Sequence, residues 1–169
     1  MNIALQEVLL RLGAAVLAGG VLGLNRNLSG KSAGLRTNAL VCLGAALVTL
    51  VALEIAGADG SGALRVVQGV ITGIGFLGGG VILHPQTRKK VSGLTTAATI
   101  WVAASLGIAC GAGLWPVLLC GLLLTLLVLL VGGPFEQLSI ALAAHWRGRP
   151  PVEPDASPPA LPANGRASP

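Results

Sequence analysis

Leu114–Val131 reads LWPVLLCGLLLTLLVLLV, eighteen residues without a formal charge. At about 1.5 Å per residue, such a run covers most of a hydrocarbon core about 30 Å thick. Four similar runs precede it: Leu5–Leu24, Ala39–Ala58, Val66–Leu83 and Leu94–Cys110. In lipid, backbone polar groups must be satisfied within their own segment, so each run is predicted to be a helix. The expected fold class is an all-α polytopic membrane protein with five transmembrane helices. Composition agrees: of 169 residues, 53% are apolar and 10% charged, against about 25% charged in an ordinary soluble domain. A typical soluble enzyme is excluded. The formal charge of +5 accompanies only 3% aromatic residues, too few to stack bases, so no nucleic-acid partner is expected.

The basic residues orient the spans. Arg26, Lys31 and Arg36 fall in the first connection, Arg88, Lys89 and Lys90 in the third, and Arg147, Arg149 and Arg166 beyond the last span. With five spans, these nine of eleven Lys/Arg share one side. Short connections rich in Lys/Arg stay in the cytoplasm. The expectation is a multi-pass protein of the bacterial inner membrane, N-terminus outside and C-terminus cytoplasmic. The first span carries Glu7 and Arg11, an acid four residues before a base, which is the favourable helical pairing. An acid as the first charge where a signal peptide carries basic residues, with no clear small-residue cleavage site following, argues against a signal peptide.

Residues 1–133 form the expected transmembrane domain. In residues 134–146, Phe135, Leu138, Leu142 and Trp146 recur at helical spacing. Either a short amphipathic helix lies on the inner leaflet or the fifth helix runs on. Residues 147–169 are rich in proline and poor in large apolar side chains, and are predicted to be a disordered tail. Cys42, Cys110 and Cys120 lie within or at the end of apolar runs, and His84 and His145 stand singly. No metal or cofactor is expected from them.

A two-helix unit repeats at an offset of 59: AGLRTNALVCLGAAL (33–47) aligns with SGLTTAATIWVAASL (92–106). The same offset places Gly19 and Gly20 on Gly78 and Gly79. Both units would start outside, as parallel repeats do. Thr37, Asn38, Thr95 and Thr96 stand where helix N-caps are wanted. Two helix N-termini beside Arg26, Lys31, Arg36 and Arg88–Lys90 suit a phosphate, a lipid headgroup or an acidic partner. Capping combined with an orientation signal accounts for the same residues.

The third span contains Gly69, Gly73, Gly75, Gly78, Gly79 and Gly80 in the run GVITGIGFLGGG. Glycine weakens a helix by about 1 kcal/mol relative to alanine, so a compensating role is expected. Gly69/Gly73 and Gly75/Gly79 have GxxxG spacing, as do Gly19/Gly23 and Gly107/Gly111. Close helix packing, within the chain or in a homo-oligomer, is the expected role. The alternative is an interrupted helix lining an ion path beside Gln68 and Thr72. Gly73–Gly78 also satisfies G-x-G-x-x-G, but no acid occurs between Asp59 and Glu136 to bind a ribose. Paired carboxylates and nucleophile–base pairs are not evident, so no catalytic residue is assigned. Glu7, Glu54 and Asp59 would form an outer acidic rim, unless Arg11 and Arg65 neutralise it.

The segments GLNRNLSGKSAGLRTNALVCLGAAL, RVVQGVITGIGFLGGGVIL and VSGLTTAATIWVAASLGIACGAG, in this order, resemble the MgtC/SapB family of bacterial inner-membrane proteins. The resemblance runs over about Gly19–Gly113. It implies a small membrane protein linked to growth in low magnesium and, in pathogens, to survival inside macrophages. It further implies action through contact with other membrane proteins, an ATP synthase or a transporter among them. The motif residues that match are Arg26, Lys31, Gly34, Leu35, Arg36, Thr37, Arg65, Gly73, Gly75, Phe76, Gly78, Gly80, Gly93, Leu94, Thr95, Thr96 and Trp101. Two features depart from the family pattern. Asn25 and Asn27 stand where members carry a G-x-E-R-E acidic pair, and only the Pro-rich tail stands where many members append a regulatory domain. On this basis the expected function is a non-catalytic modulator of other membrane proteins in magnesium homeostasis or stress adaptation. A small ion channel or secondary transporter using the glycine-rich span is the alternative.

Overall fold

The computed structural model describes residues 3–56, 61–83 and 93–146. Among these, regular structure is entirely helical: α1 (Leu5–Leu28), α2 (Leu35–Ala56), α3 (Ser61–Leu83), α4 (Leu94–Gly111) and α5 (Trp115–Trp146). All five are long and apolar enough to cross a membrane. The protein is a multi-pass membrane protein, and its many outward-facing Leu and Val side chains suit contact with lipid. Asp59, Arg88, Lys89 and Lys90, and the tail from Arg147, lie outside the described residues.

Two compact units divide the chain at Leu130/Val131. The division falls just before Pro134, whose nitrogen carries no hydrogen and leaves one helical carbonyl without its donor. In the first unit, α1, α2 and α4 pack pairwise, and α3 packs on α2 and α4. Their core holds mainly small side chains, with Ala15, Cys42, Ala46, Ala103 and Cys110 fully buried beside Leu22, Leu106 and Leu118. Such a core forms only when backbones lie close together. Glycines make that possible: a Cβ on Gly19 would sit 2.4 Å from the Asn38 carbonyl, and one on Gly107 2.2 Å from the Cys42 carbonyl. Gly23 and Gly111 are equally confined, against Leu35 Cα and the Ala46 carbonyl, each at 2.4 Å.

Helices α1 and α4 end in the same device. Gly30 and Gly113 adopt left-handed φ of 62° and 71°. After α1, Gly30 N–H donates to the Asn27 carbonyl and Lys31 N–H to the Arg26 carbonyl, both at 3.1 Å. After α4, Gly113 N–H donates to Cys110 at 3.0 Å and Leu114 N–H to Ala109 at 2.9 Å. Both are Schellman closures, which satisfy the last carbonyls and reverse the chain within two residues. At the α4 end, Arg11 adds a third donor, from Nη1 to the Gly111 carbonyl at 2.8 Å, while its Nε holds Glu7 Oε1 at 2.7 Å. The Glu7–Arg11 pairing is therefore present as read from the sequence.

The internal offset appears in the packing. Helices α2 and α4 begin at Leu35 and Leu94, 59 residues apart. Gly19 faces Asn38 across α1–α2, and Gly78 faces Ala97 across α3–α4, a pair shifted by the same 59 positions. The second contact is looser, 3.5 Å to the Ala97 Cβ.

Candidate functional site

The α1–α2 connection, the end of α3 and the start of α4 meet at one end of the bundle, opposite Arg11 and Gly111. The connection is tightly built. Ser29 Oγ donates to the Asn25 carbonyl at 2.9 Å, and Asn38 Nδ2 donates back to the carbonyls of Ala33 (2.6 Å) and Gly34 (3.0 Å). Asn27 folds its amide oxygen over Gly34, where a Cβ would overlap it. Ala33 adopts φ 58°, a left-handed conformation seldom taken by non-glycine residues. On this frame Lys31, Arg36 and Thr37 are exposed, as is Thr95 one residue into α4.

The threonines do not cap. α4 starts from Gly93, at φ 91°, without a side-chain cap, so Thr95 and Thr96 sit inside the first turn. Likewise α2 starts at Leu35, placing Thr37 and Asn38 beyond the cap position. Gly93 takes a left-handed φ that side chains disfavour, whereas Gly34 leaves the space that the Asn27 amide fills. Asn38 instead acts as a donor, and its Oδ1 is buried without a partner.

Arg26 departs most from its expected place. Rather than facing outward with Lys31 and Arg36, it is 4% exposed. Its Nη2 donates to Thr96 Oγ1, and Ser32 Oγ lies 3.4 Å from the same oxygen. By sequence Arg26 groups with the loop cations because it adjoins them. The signal that separates it is the register Ala15, Ala18, Leu22, Arg26, which continues the buried face of α1.

The glycines of α3 also divide. Gly78 contacts Ala97, but a Cβ added to Gly69, Gly73, Gly75, Gly79 or Gly80 would meet nothing within 4 Å. Beside them Gln68 and Thr72 line the same helix, Thr72 Oγ1 donating to the Gln68 carbonyl at 2.8 Å, and Phe76 is 85% exposed. Trp101 is partly exposed on α4. At the opposite end, Glu7 is paired with Arg11 and Glu54 is exposed with an interaction of its own. Among the described residues no group of three His, Cys, Asp or Glu could hold a metal ion.

A profile of the MgtC family matches residues 12–138. SrpB of Synechococcus elongatus is 48% identical over 129 residues, covering 70% of this chain and 71% of its own length. YhiD of Escherichia coli (strain K12), named as a candidate magnesium transporter, is 40% identical over 145 residues, covering 80% of this chain and 64% of its own. MgtC of Brucella abortus is 44% identical over 103 residues, covering 61% of this chain and 42% of its own. The chain thus spans less than two thirds of YhiD and under half of that MgtC. No solved structure matches it.

Proposed function

Because this chain belongs to the MgtC family, we propose that it acts as a non-catalytic modulator of other membrane proteins in magnesium homeostasis or stress adaptation. The observation that supports this is the α1–α2 connection. A loop held by two Schellman bonds, the Ser29 bond and both Asn38 bonds presents Lys31, Arg36 and Thr37 outward in a fixed arrangement. Rigid backbone beneath exposed cations suits recognition of an acidic surface, because little ordering entropy remains to be lost on binding. Two cations lie close to the span ends, and short basic connections favour the cytoplasmic side. The docking face therefore points to the cytoplasm, in the inner membrane, with the N-terminus outside. The partner is a membrane protein with an acidic cytoplasmic face, an ATP synthase or a transporter being the kind in view.

The second reading is a channel or secondary transporter, supported by α3. Its five open glycines beside Gln68 and Thr72 form a surface that lipid does not favour, and YhiD carries a transport name. Proteoliposomes containing the full chain separate the two. The modulator reading expects no magnesium, proton or phosphate flux, together with a crosslinked partner that is lost in Lys31→Gln/Arg36→Gln. Robust flux abolished by Gly75→Leu overturns it.

A further inference from the structure

Arg26 presents an electrostatic problem that its described neighbours do not solve. Arginine remains protonated in proteins, and burying a guanidinium without an opposite charge carries a large desolvation penalty. Here Nη2 reaches Thr96 Oγ1, a neutral partner, while Nε is sealed from solvent with no acceptor. Its neighbours in α1, Asn25 and Asn27, are amides. Among the described side chains the carboxylates are Glu7 and Glu54. They stand at the far ends of α1 and α2, each about 28 Å away along its helix at 1.5 Å per residue, and Glu7 is already paired with Arg11.

The helix ends do not relieve the imbalance. The C-terminal ends of α1 and α3 bring partial negative charge here and the starts of α2 and α4 partial positive charge, two against two, so no net helix-end charge offsets the guanidinium. Gly23, one turn before Arg26, touches Leu35 in the first turn of α2, and Thr96 lies in the first turn of α4. Among the described residues no side chain caps α4, so its first turn presents N–H groups toward an acceptor. A guanidinium, two hydroxyls and uncapped helix N–H groups form the donor set that phosphate oxygens satisfy.

We infer that Arg26, Thr96 and Ser32, with the first turn of α4, bind a phosphate group, supplied by a lipid headgroup or by inorganic phosphate. The position at the end of the spans puts either source within reach. This site differs from the outward Lys31/Arg36 face and does not depend on a protein partner.

The test uses the purified full chain in phospholipid-free non-ionic detergent, following its thermal midpoint and the 31P linewidth of the added probe. Inorganic phosphate or short-chain phosphatidylglycerol is expected to raise the midpoint saturably, at ionic strength matched with sodium chloride. A response to inorganic phosphate identifies the free ion; a response to phosphatidylglycerol alone identifies the lipid. Arg26→Gln is expected to weaken the effective probe at least about tenfold, as removal of a charge-assisted contact does. Thr96→Val, which keeps shape and charge, provides a second measurement should Arg26→Gln fail to fold, and is expected to weaken binding several-fold. Absence of a saturable response to either probe overturns the inference, as does unchanged binding in Thr96→Val. It is equally overturned if binding emerges only in Glu153→Gln/Asp155→Asn, since the tail would then supply the counter-charge.

Discussion

Gly107 lies so close to Cys42 that an added Cβ would stand 2.2 Å from the Cys42 carbonyl oxygen. Helices α4 and α2 therefore meet backbone to backbone. In lipid, where burial of apolar surface no longer drives helices together, such contact is a principal source of association. Overpacking typically costs about 1–3 kcal/mol, and neither carbonyl nor helix can yield as a flexible side chain could. Gly107→Ala is expected to destabilise by that amount or more, and Gly111→Ala likewise through the Ala46 carbonyl. Denaturation in mixed detergent micelles, monitored by circular dichroism, checks both.

The open glycines of α3 predict the opposite. At Gly69 and Gly73 nothing stands within 4 Å of an added Cβ, and alanine is the better helix former by about 1 kcal/mol. Gly73→Ala should leave the stability of the monomer unchanged or raise it slightly. Destabilisation matching that of Gly107→Ala would show that this face is packed.

Arg11 joins two helices. Its bond to Gly111 closes the end of α4 while its bond to Glu7 lies half-exposed. An i,i+4 ion pair in that setting contributes under about 1 kcal/mol. Glu7→Gln should therefore be mild. Arg11→Met also removes the donor to a carbonyl in a buried residue, and a group so orphaned costs about 1–3 kcal/mol. The order of the two thermal midpoints is the readout.

Asn38 is fully buried and spans the carbonyls of Ala33 and Gly34. Asn38→Leu retains volume but removes both bonds, and about 1–3 kcal/mol of destabilisation is expected. Because these bonds hold the Lys31/Arg36 loop, faster hydrogen exchange at Lys31–Gly34 should accompany the loss. Unchanged exchange would show that the Schellman closure alone orders the loop.

Reporter fusions test the orientation. A fusion after Gly113 is expected to report the outer side; a cytoplasmic signal there would invert the basic docking face.

Five helices are legible in the sequence because a run of apolar residues of bilayer length has few other uses, and the alternating charge content of the connections agrees with an odd count. Their ends are less so. The apolar runs begin at Ala39 and Val66, whereas α2 and α3 start at Leu35 and Ser61, since polar residues in a first turn look like loop. The GxxxG pairs expose a deeper limit. Gly19/Gly23 and Gly107/Gly111 pack within the fold, while Gly69/Gly73 carries the same spacing and packs on nothing described. Spacing states that a helix face is small, not what covers it. Arg26 escapes for a related reason: a basic residue beside Lys31 and Arg36 resembles a surface charge until its register with Leu22 and Gly23 is followed inward.

The duplicated contact has a consequence for how the molecule can vary. The first copy, Gly19 on Asn38, admits no added atom; the second, Gly78 on Ala97, leaves ordinary van der Waals room. One hairpin is thus welded to the scaffold and its twin is released from that duty. Changes on the open glycine face of α3 can accumulate without unfolding the protein, so a defect caused by a substitution there reads out what the protein does, whereas the same change at Gly19 or Gly107 reads out whether it folds.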